Sequence, residues 1–218
     1  MRYPSRLLKL VGGLFLFSLG TYMTMQANIG LAPWSAFNAG VSARFGTTFG
    51  TVNIVTALVI IVIDMLLHEH IGVGTVLDAF LVGIFIDWLT ALELLPLVQN
   101  YWLGLLLLLA GLEVLAFGSW LYMSAALGEG PRDMLMVALC KRFPKTPVGV
   151  IRCVIEGAAL IVGWLLGAKV GLGTVISVFG TGAFIQLTFN LLHFEVKDIH
   201  NESIVETCKN LFGRKNKA

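Results

Sequence analysis

The chain has 218 residues, of which 57% are hydrophobic and 13% are charged, and its mean hydropathy is +0.85. A soluble core of this size cannot bury so much apolar surface, so the composition excludes a soluble globular protein and predicts an integral membrane protein that contacts lipid and no nucleic acid. The formal net charge of +2 is small, but the basic residues are clustered, and these clusters bear on orientation.

Several apolar runs are long enough to cross a hydrocarbon core of about 30 Å. Because lipid offers the backbone no hydrogen-bond partners, an open chain must cross it as helices. We therefore predict an all-α polytopic protein with six long transmembrane helices, at Leu7–Ala27, Val52–Leu67, Val73–Leu97, Trp102–Leu127, Val148–Leu166 and Leu172–Leu192.

Two Gly-x-x-Pro segments interrupt this pattern, Gly30–Pro33 and Gly128–Pro131. Glycine favours turns, and proline lacks an N–H but suits the first turn of a new helix. Each segment therefore predicts a helix break followed by a short half-helix, Pro33–Phe45 or Pro131–Phe143. At 1.5 Å per residue each would be about 20 Å long, which is too short to span a membrane alone.

The two breaks are separated by 98 residues, and Gly72–Val76 recurs 99 residues later as Gly171–Val175. Two matched blocks in the same order at nearly one offset indicate a tandem duplication. We predict a first repeat over residues 1–97, a second over 98–194 and a polar cytoplasmic tail over 195–218. Each repeat holds three long helices and one half-helix.

Basic residues concentrate at 2–9, 141–145 and 197–217, and the positive-inside rule places all three groups, and hence both termini, in the cytoplasm. Three crossings per repeat would invert the second copy, as in many secondary transporters, and this arrangement is preferred. The alternative lets each half-helix complete a crossing, which gives two parallel copies of four. Only Arg44 and Arg132 would change sides, so charge does not decide between them.

Polar residues inside membrane helices usually face a bundle interior or a watery cavity. A first group is predicted to supply coupling or polar lining: Asp64, Asp78, Asp87, Glu113 and Gln186. A second group surrounds the breaks or is charged in the second repeat, and we predict that it binds substrate: Gly30, Pro33, Trp34, Ser35, Asn53, Gly128, Pro131, Arg132, Asp133, Arg152 and Glu156.

Charge in this second group lies in only one repeat, because Trp34 and Ser35 correspond to Arg132 and Asp133. Arginine offers a fork of donors suited to a carboxylate or phosphate, and the half-helix N-termini add partial positive charge. These features favour a polar solute, anions included. Arg152 and Glu156 are four residues apart and can pair on one helix, so a purely structural ion pair remains an open alternative for them.

No nucleotide-binding, nucleophile-elbow or paired-histidine motif occurs, so we expect no enzyme activity and no cofactor. The cysteines, Cys140, Cys153 and Cys208, are widely separated, and neither a disulfide framework nor a metal site is expected.

The segments Gly30–Trp34 and Gly128–Asp133, the stretch Val150–Glu156 and the two Gly-x-Gly-Thr-Val segments resemble the YczE/YyaS/YitT group of bacterial integral membrane proteins, in particular its YczE-like branch. The resemblance extends to about Leu192. It implies a multi-pass protein of the bacterial cytoplasmic membrane with a role in transport, and it supplies no substrate.

The sequence thus favours a small secondary transporter of a polar, including an anionic, solute by alternating access. A membrane accessory or scaffold protein without transport is the alternative, and the sequence does not separate the two. The expected partners are the bilayer and an unidentified small polar solute, and homo-oligomerisation is left open.

Overall fold

The computed structural model describes residues 3–194, 201–202 and 207. Residues 3–194 form eight α-helices: α1 Tyr3–Gln26, α2 Pro33–Phe45, α3 Phe49–Leu66, α4 Val73–Ala91, α5 Tyr101–Met123, α6 Pro131–Arg142, α7 Val148–Leu165 and α8 Leu172–Leu191. In the described part of the chain, six of these helices, all except α2 and α6, are long and apolar enough to cross a membrane. The predicted all-helical, multi-pass architecture is confirmed.

Two of the long helices end four or more residues earlier than their hydropathy indicates. The fourth was expected to reach Leu97 but ends at Ala91, and the apolar segment that follows bonds through Leu95 to the hydroxyl of Tyr22, at 3.2 Å. The fifth was expected to reach Leu127 but ends at Met123. High hydropathy shows that a segment is compatible with lipid, but it does not show that the segment is helical. The predicted helices therefore included apolar loops that pack against neighbouring helices.

The half-helices begin where the proline residues predict. Pro33 and Pro131 occupy the first turns of α2 and α6, where a missing N–H costs nothing. Gly46 then ends α2 in a left-handed conformation with φ of 65°. Thr48, two residues later, caps α3, because its side chain accepts a hydrogen bond from the N–H of Thr51 at 3.1 Å.

α1 and α5 pack in opposite directions over most of their length. A Cβ added at Gly13, in the middle of α1, would collide with the backbone N of Tyr122 at the end of α5. At the other end, a Cβ added at Gly104 would lie 2.5 Å from the carbonyl of Ala27. Glycine at these positions lets the two backbones approach closely. In lipid no hydrophobic effect drives helices together, so this close van der Waals packing stabilises the helix pair.

α3 and α4 form an antiparallel hairpin fixed at one end by Asp87. A Cβ at Gly50 would collide with the carbonyl of Gly83, so glycine is needed there. The carboxylate of Asp87 accepts hydrogen bonds from the N–H of Gly50, at 2.7 Å, and from the hydroxyl of Thr48. Asp87 thus satisfies the open N-terminus of α3.

Both described ends of the chain lie at one end of the bundle, which we call the terminal face. Arg6 donates there to the carbonyls of Ala125, at 2.8 Å, and Ala126, at 2.7 Å, and pairs with Glu202 at 2.6 Å. Burial raises the pKa of Glu202, but hydrogen bonds from Arg6 and Tyr3 outweigh it and hold the pKa below its usual value.

The backbone of each Gly-x-x-Pro break pairs with the first turn of a long helix. The N–H of Gly74 in α4 donates to the carbonyl of Leu127 at 2.7 Å, and the N–H of Gly173 in α8 donates to the carbonyl of Ile29 at 2.8 Å. A helix start leaves N–H groups without partners, and a helix break leaves carbonyls without partners. The N–H groups at each helix start therefore donate to the carbonyls of a break, and both sets of groups find partners.

Gly30 and Gly128 have nearly the same strained backbone, with φ of 129° and 131°. A Cβ at Gly30 would lie 2.8 Å from the N of Thr174, and one at Gly128 would lie 2.8 Å from Oγ1 of Thr75. Only glycine meets both the conformation and the space at these positions.

The proposed boundary between residues 97 and 98 falls in the loop that joins α4 to α5. Of the predicted tail, 195–218, only residues 201–202 and 207 are described, and the remainder lies outside the described residues. The described part holds the tail against the terminal face, since the N–H of Glu202 donates to the carbonyl of Ala126 at 3.2 Å.

We expect Gly128→Ala to reduce the free energy of unfolding by at least about 3 kcal/mol, because it adds both a disfavoured φ and a collision with α4. Gly46→Ala is the matched control: its φ of 65° is also positive, but nothing lies within 4 Å of the added Cβ. It should cost about 1 kcal/mol. Denaturant unfolding of the purified protein in detergent measures both, and equal losses would contradict the described break.

Candidate functional site

A cavity of about 540 Å³ lies where the N-termini of α2 and α6 meet. Its wall includes residues from all eight helices, so both halves of the chain contribute. Many of these residues are polar or charged: Trp34, Ser35, Asn38, Asn53, Asp78, Ser119, Tyr122, Glu129, Arg132, Asp133, Arg152, Glu156, Ser177, Thr181 and Gln186. Among the predicted site residues, Pro33 and Pro131 also line it.

Arg132 connects the two half-helices across this cavity. Its guanidinium carbon lies 4.8 Å from the centre of the Trp34 ring, in a cation–π contact. One of its terminal nitrogens donates to Oδ1 of Asn53 at 2.6 Å, and the same oxygen accepts from Nδ2 of Asn38 at 2.9 Å. One side chain thus joins α2, α3 and α6.

Asp78 and Asp133 border one small space beside Gly130. An ideal Cβ built at Gly130 would lie 3.6 Å from Oδ2 of Asp78 and 3.8 Å from Oδ2 of Asp133. Asp133 accepts a long hydrogen bond of 3.5 Å from the hydroxyl of Tyr122. Within the described residues, neither carboxylate has an ion-pair partner within 4.0 Å.

Arg152 and Glu156 do pair, with 2.8 Å between Nε and Oε1, as their spacing on one helix predicts. Both side chains line the cavity and both keep solvent contact, at 44% for Arg152 and 19% for Glu156. A pair that is open to water is screened and contributes little to stability.

Glu129 enters the cavity wall from the second break, immediately before Gly130. Its backbone carbonyl accepts from the hydroxyl of Thr75 at 2.7 Å, and its carboxylate accepts from Nδ2 of Asn201 at 2.9 Å. This carboxylate therefore lies between the cavity and the described part of the tail.

Some predicted residues lie elsewhere. Gly30 and Gly128 shape the breaks without lining the cavity, and Asp87 caps α3. Glu113 accepts from the hydroxyl of Thr188 at 3.2 Å, between α5 and α8. Asp64 is fully buried outside the cavity wall, and neither carboxylate oxygen has a hydrogen-bond partner among the described residues. Gln186 does line the cavity and donates to Asn190 at 2.9 Å.

Several polar residues of the cavity wall were not among the predicted site residues, including Asn38, Ser119, Tyr122, Glu129, Ser177 and Thr181. Asn38 and Ser177 are each 1% exposed and carry no charge, so a search for charged residues inside helices does not detect them. Glu129 lies inside the Gly-x-Gly-Pro segment and could have been chosen from its position in the break.

A family model described as "Family of unknown function (DUF6198)" matches residues 4–190. An uncharacterized protein of Haemophilus influenzae is 27% identical over 183 residues, which cover 84% of this chain and 83% of that protein. The uncharacterized membrane protein YczE of Bacillus subtilis is 29% identical over 180 residues, or 81% of each chain. The uncharacterized protein YyaS of the same species is 23% identical over 191 residues, 85% of this chain and 94% of that protein.

No solved structure matches the chain. The resemblance to YczE and YyaS is thus confirmed, and these relatives are themselves uncharacterized. Since the matched residues 4–190 take in nearly all of the eight-helix bundle, the chain belongs to the DUF6198 family, a family of unknown function.

Proposed function

We propose that the protein is a small secondary transporter that moves a polar solute across the bacterial cytoplasmic membrane by alternating access. The observation that carries this proposal is the polar cavity at the meeting point of the two half-helix N-termini. In secondary transporters, interrupted helices of this kind commonly build the solute site, because their free N–H groups and unwound backbone can bind polar groups.

The two halves are proposed to be inverted repeats, and the direction of the helices supports this. α1 and α5, which correspond in the duplication, run antiparallel, whereas two parallel copies would run them in the same direction. Trp34 and Arg132 also correspond in sequence, and they contact each other. Contact between equivalent residues is expected close to an axis that relates two repeats.

Each half-helix is proposed to enter the membrane and return to the side from which it came. For α6, this is supported by contacts that the break before α6 and the last turn of α6 both make with the segment between α3 and α4. The break at Gly128 lies against Gly72, and Lys141 in the last turn pairs with Glu69 at 2.7 Å. α2 and α6 would then contribute no crossing, and six crossings return the chain to its starting side.

We propose that the terminal face is cytoplasmic, because the basic groups near both termini and after α6 then share the inner side. Single cysteines at positions 4 and 216, in a variant lacking Cys140, Cys153 and Cys208, should react with a membrane-impermeant maleimide only after the cells are opened. A cysteine at Asn100, in the loop before α5, should react in intact cells. The reverse pattern would contradict this orientation.

The transport proposal is tested by comparing metabolites inside and outside cells with and without the protein, followed by uptake of the affected solutes into proteoliposomes. Uptake that requires the protein supports a transporter. If cells differ in no solute and proteoliposomes take up none, the scaffold or accessory role would replace transport.

The double variant Arg152→Met with Glu156→Leu separates a role in the site from a role in packing. We expect unfolding to change by no more than about 1 kcal/mol, since the pair is partly exposed to water. Uptake of the identified solute should fall at least tenfold, which corresponds to about 1.4 kcal/mol, because the cavity loses its fork of donors.

The matched control is Lys141→Met with Glu69→Leu, which removes an ion pair of similar length outside the cavity. Its uptake should equal that of the parent. If the Arg152 and Glu156 double variant also transports like the parent, that pair is structural and the site is restricted to the two breaks.

A further inference from the structure

We propose that the solute carries a protonated amine, and that this group binds between the carboxylates of Asp78 and Asp133 beside Gly130. The inference rests on the proposed transport function and adds the chemical class of the solute to it. It differs from the sequence analysis, in which the arginine residues and the half-helix N-termini favoured a polar solute, anions included.

The charges that line the cavity are unequal. Four carboxylates, of Asp78, Glu129, Asp133 and Glu156, face two guanidinium groups. Arg152 is already paired with Glu156, and Arg132 lies over Trp34 and donates to Asn53. A cation from the solute would offset the excess negative charge, whereas an anion would increase it.

The geometry beside Gly130 suits one ammonium group. The oxygens of Asp78 and Asp133 lie at 3.6 Å and 3.8 Å from the same point, so both carboxylates face one small space. Asp78 has no hydrogen-bond partner among the described residues, and Asp133 has only the long contact with Tyr122. An ammonium group has three donors and no acceptor, and each carboxylate is an acceptor only.

Two further polar atoms in the cavity wall independently indicate a polar ligand. Oδ1 of Asn38 and Oγ of Ser177 are buried, belong to residues that are 1% exposed, and have no hydrogen-bond partner among the described residues. Buried polar atoms in folded proteins are nearly always satisfied. These two groups can bind polar atoms elsewhere on the solute, which makes the cavity more than an acidic cluster.

Gly130→Ala tests this site with a minimal change. The backbone at Gly130 has φ of −62°, which alanine adopts freely, and the added methyl would make ordinary contacts of 3.6–3.8 Å. The fold should therefore be kept, while the methyl occupies the space assigned to the ammonium group. Gly157→Ala, in α7, is the matched control, because nothing lies within 4 Å of its added Cβ.

The probes are butylamine, butyrate and butanol, which share one carbon skeleton and differ in charge. Thermal unfolding of the purified protein with each probe reports binding, since a ligand of the folded state raises the melting temperature. We expect butylamine to raise it more than the other two. Titration with butylamine should then give a Kd at least tenfold higher for Gly130→Ala than for the parent, with Gly157→Ala unchanged.

Two results would overturn the amine site: butyrate stabilising the parent more than butylamine does, or Gly130→Ala binding butylamine as the parent does. Either result leaves the transport proposal intact if proteoliposomes take up a solute without an amine. Conversely, amine binding without uptake of any solute would retain the site and reject transport.

Discussion

The structure depends on one constraint, that backbone polar groups inside a bilayer must find partners in the protein. The two breaks expose carbonyls that no helix of their own can satisfy. The starts of α4 and α8 supply the missing donors, through Gly74 to Leu127 and Gly173 to Ile29. Because each donor comes from the other half of the chain, neither break could be buried without its counterpart, and the two halves are held together by this exchange.

This exchange also determines where the cavity forms. With each break held on a long helix, α2 and α6 begin in the interior, and their first residues face one another across the cavity. Arg132 joins Trp34 there, so the half-helices meet through one charged and one aromatic side chain. The same architecture therefore provides a polar cavity lined by both halves, as an alternating-access mechanism requires. Most of the charged residues in its wall come from the second half of the chain.

Much of this could be predicted from the sequence, because proline, glycine and apolar length act locally. The starts of α2 and α6 followed from Pro33 and Pro131, and the six long helices followed from hydropathy. The role of a polar residue cannot be predicted from local sequence in this way, because it depends on which other helix its side chain contacts. Asp87 was grouped with Asp78, yet the first caps α3 and the second faces the cavity. Asn38, a lone amide in an apolar segment, gave no sign of its contact with Asn53.

The central claim is that the N-termini of the two half-helices meet at one cavity. The most direct measurement is cross-linking of cysteines placed at Trp34 and Arg132, in a chain lacking Cys140, Cys153 and Cys208, with a bismaleimide that has a short flexible spacer. The account predicts efficient intramolecular cross-linking of this pair in membranes. Cysteines at Trp34 and Phe45, eleven residues apart and so about 16 Å apart along α2, should remain unlinked. Absence of the first cross-link, with both thiols reactive, would contradict the account.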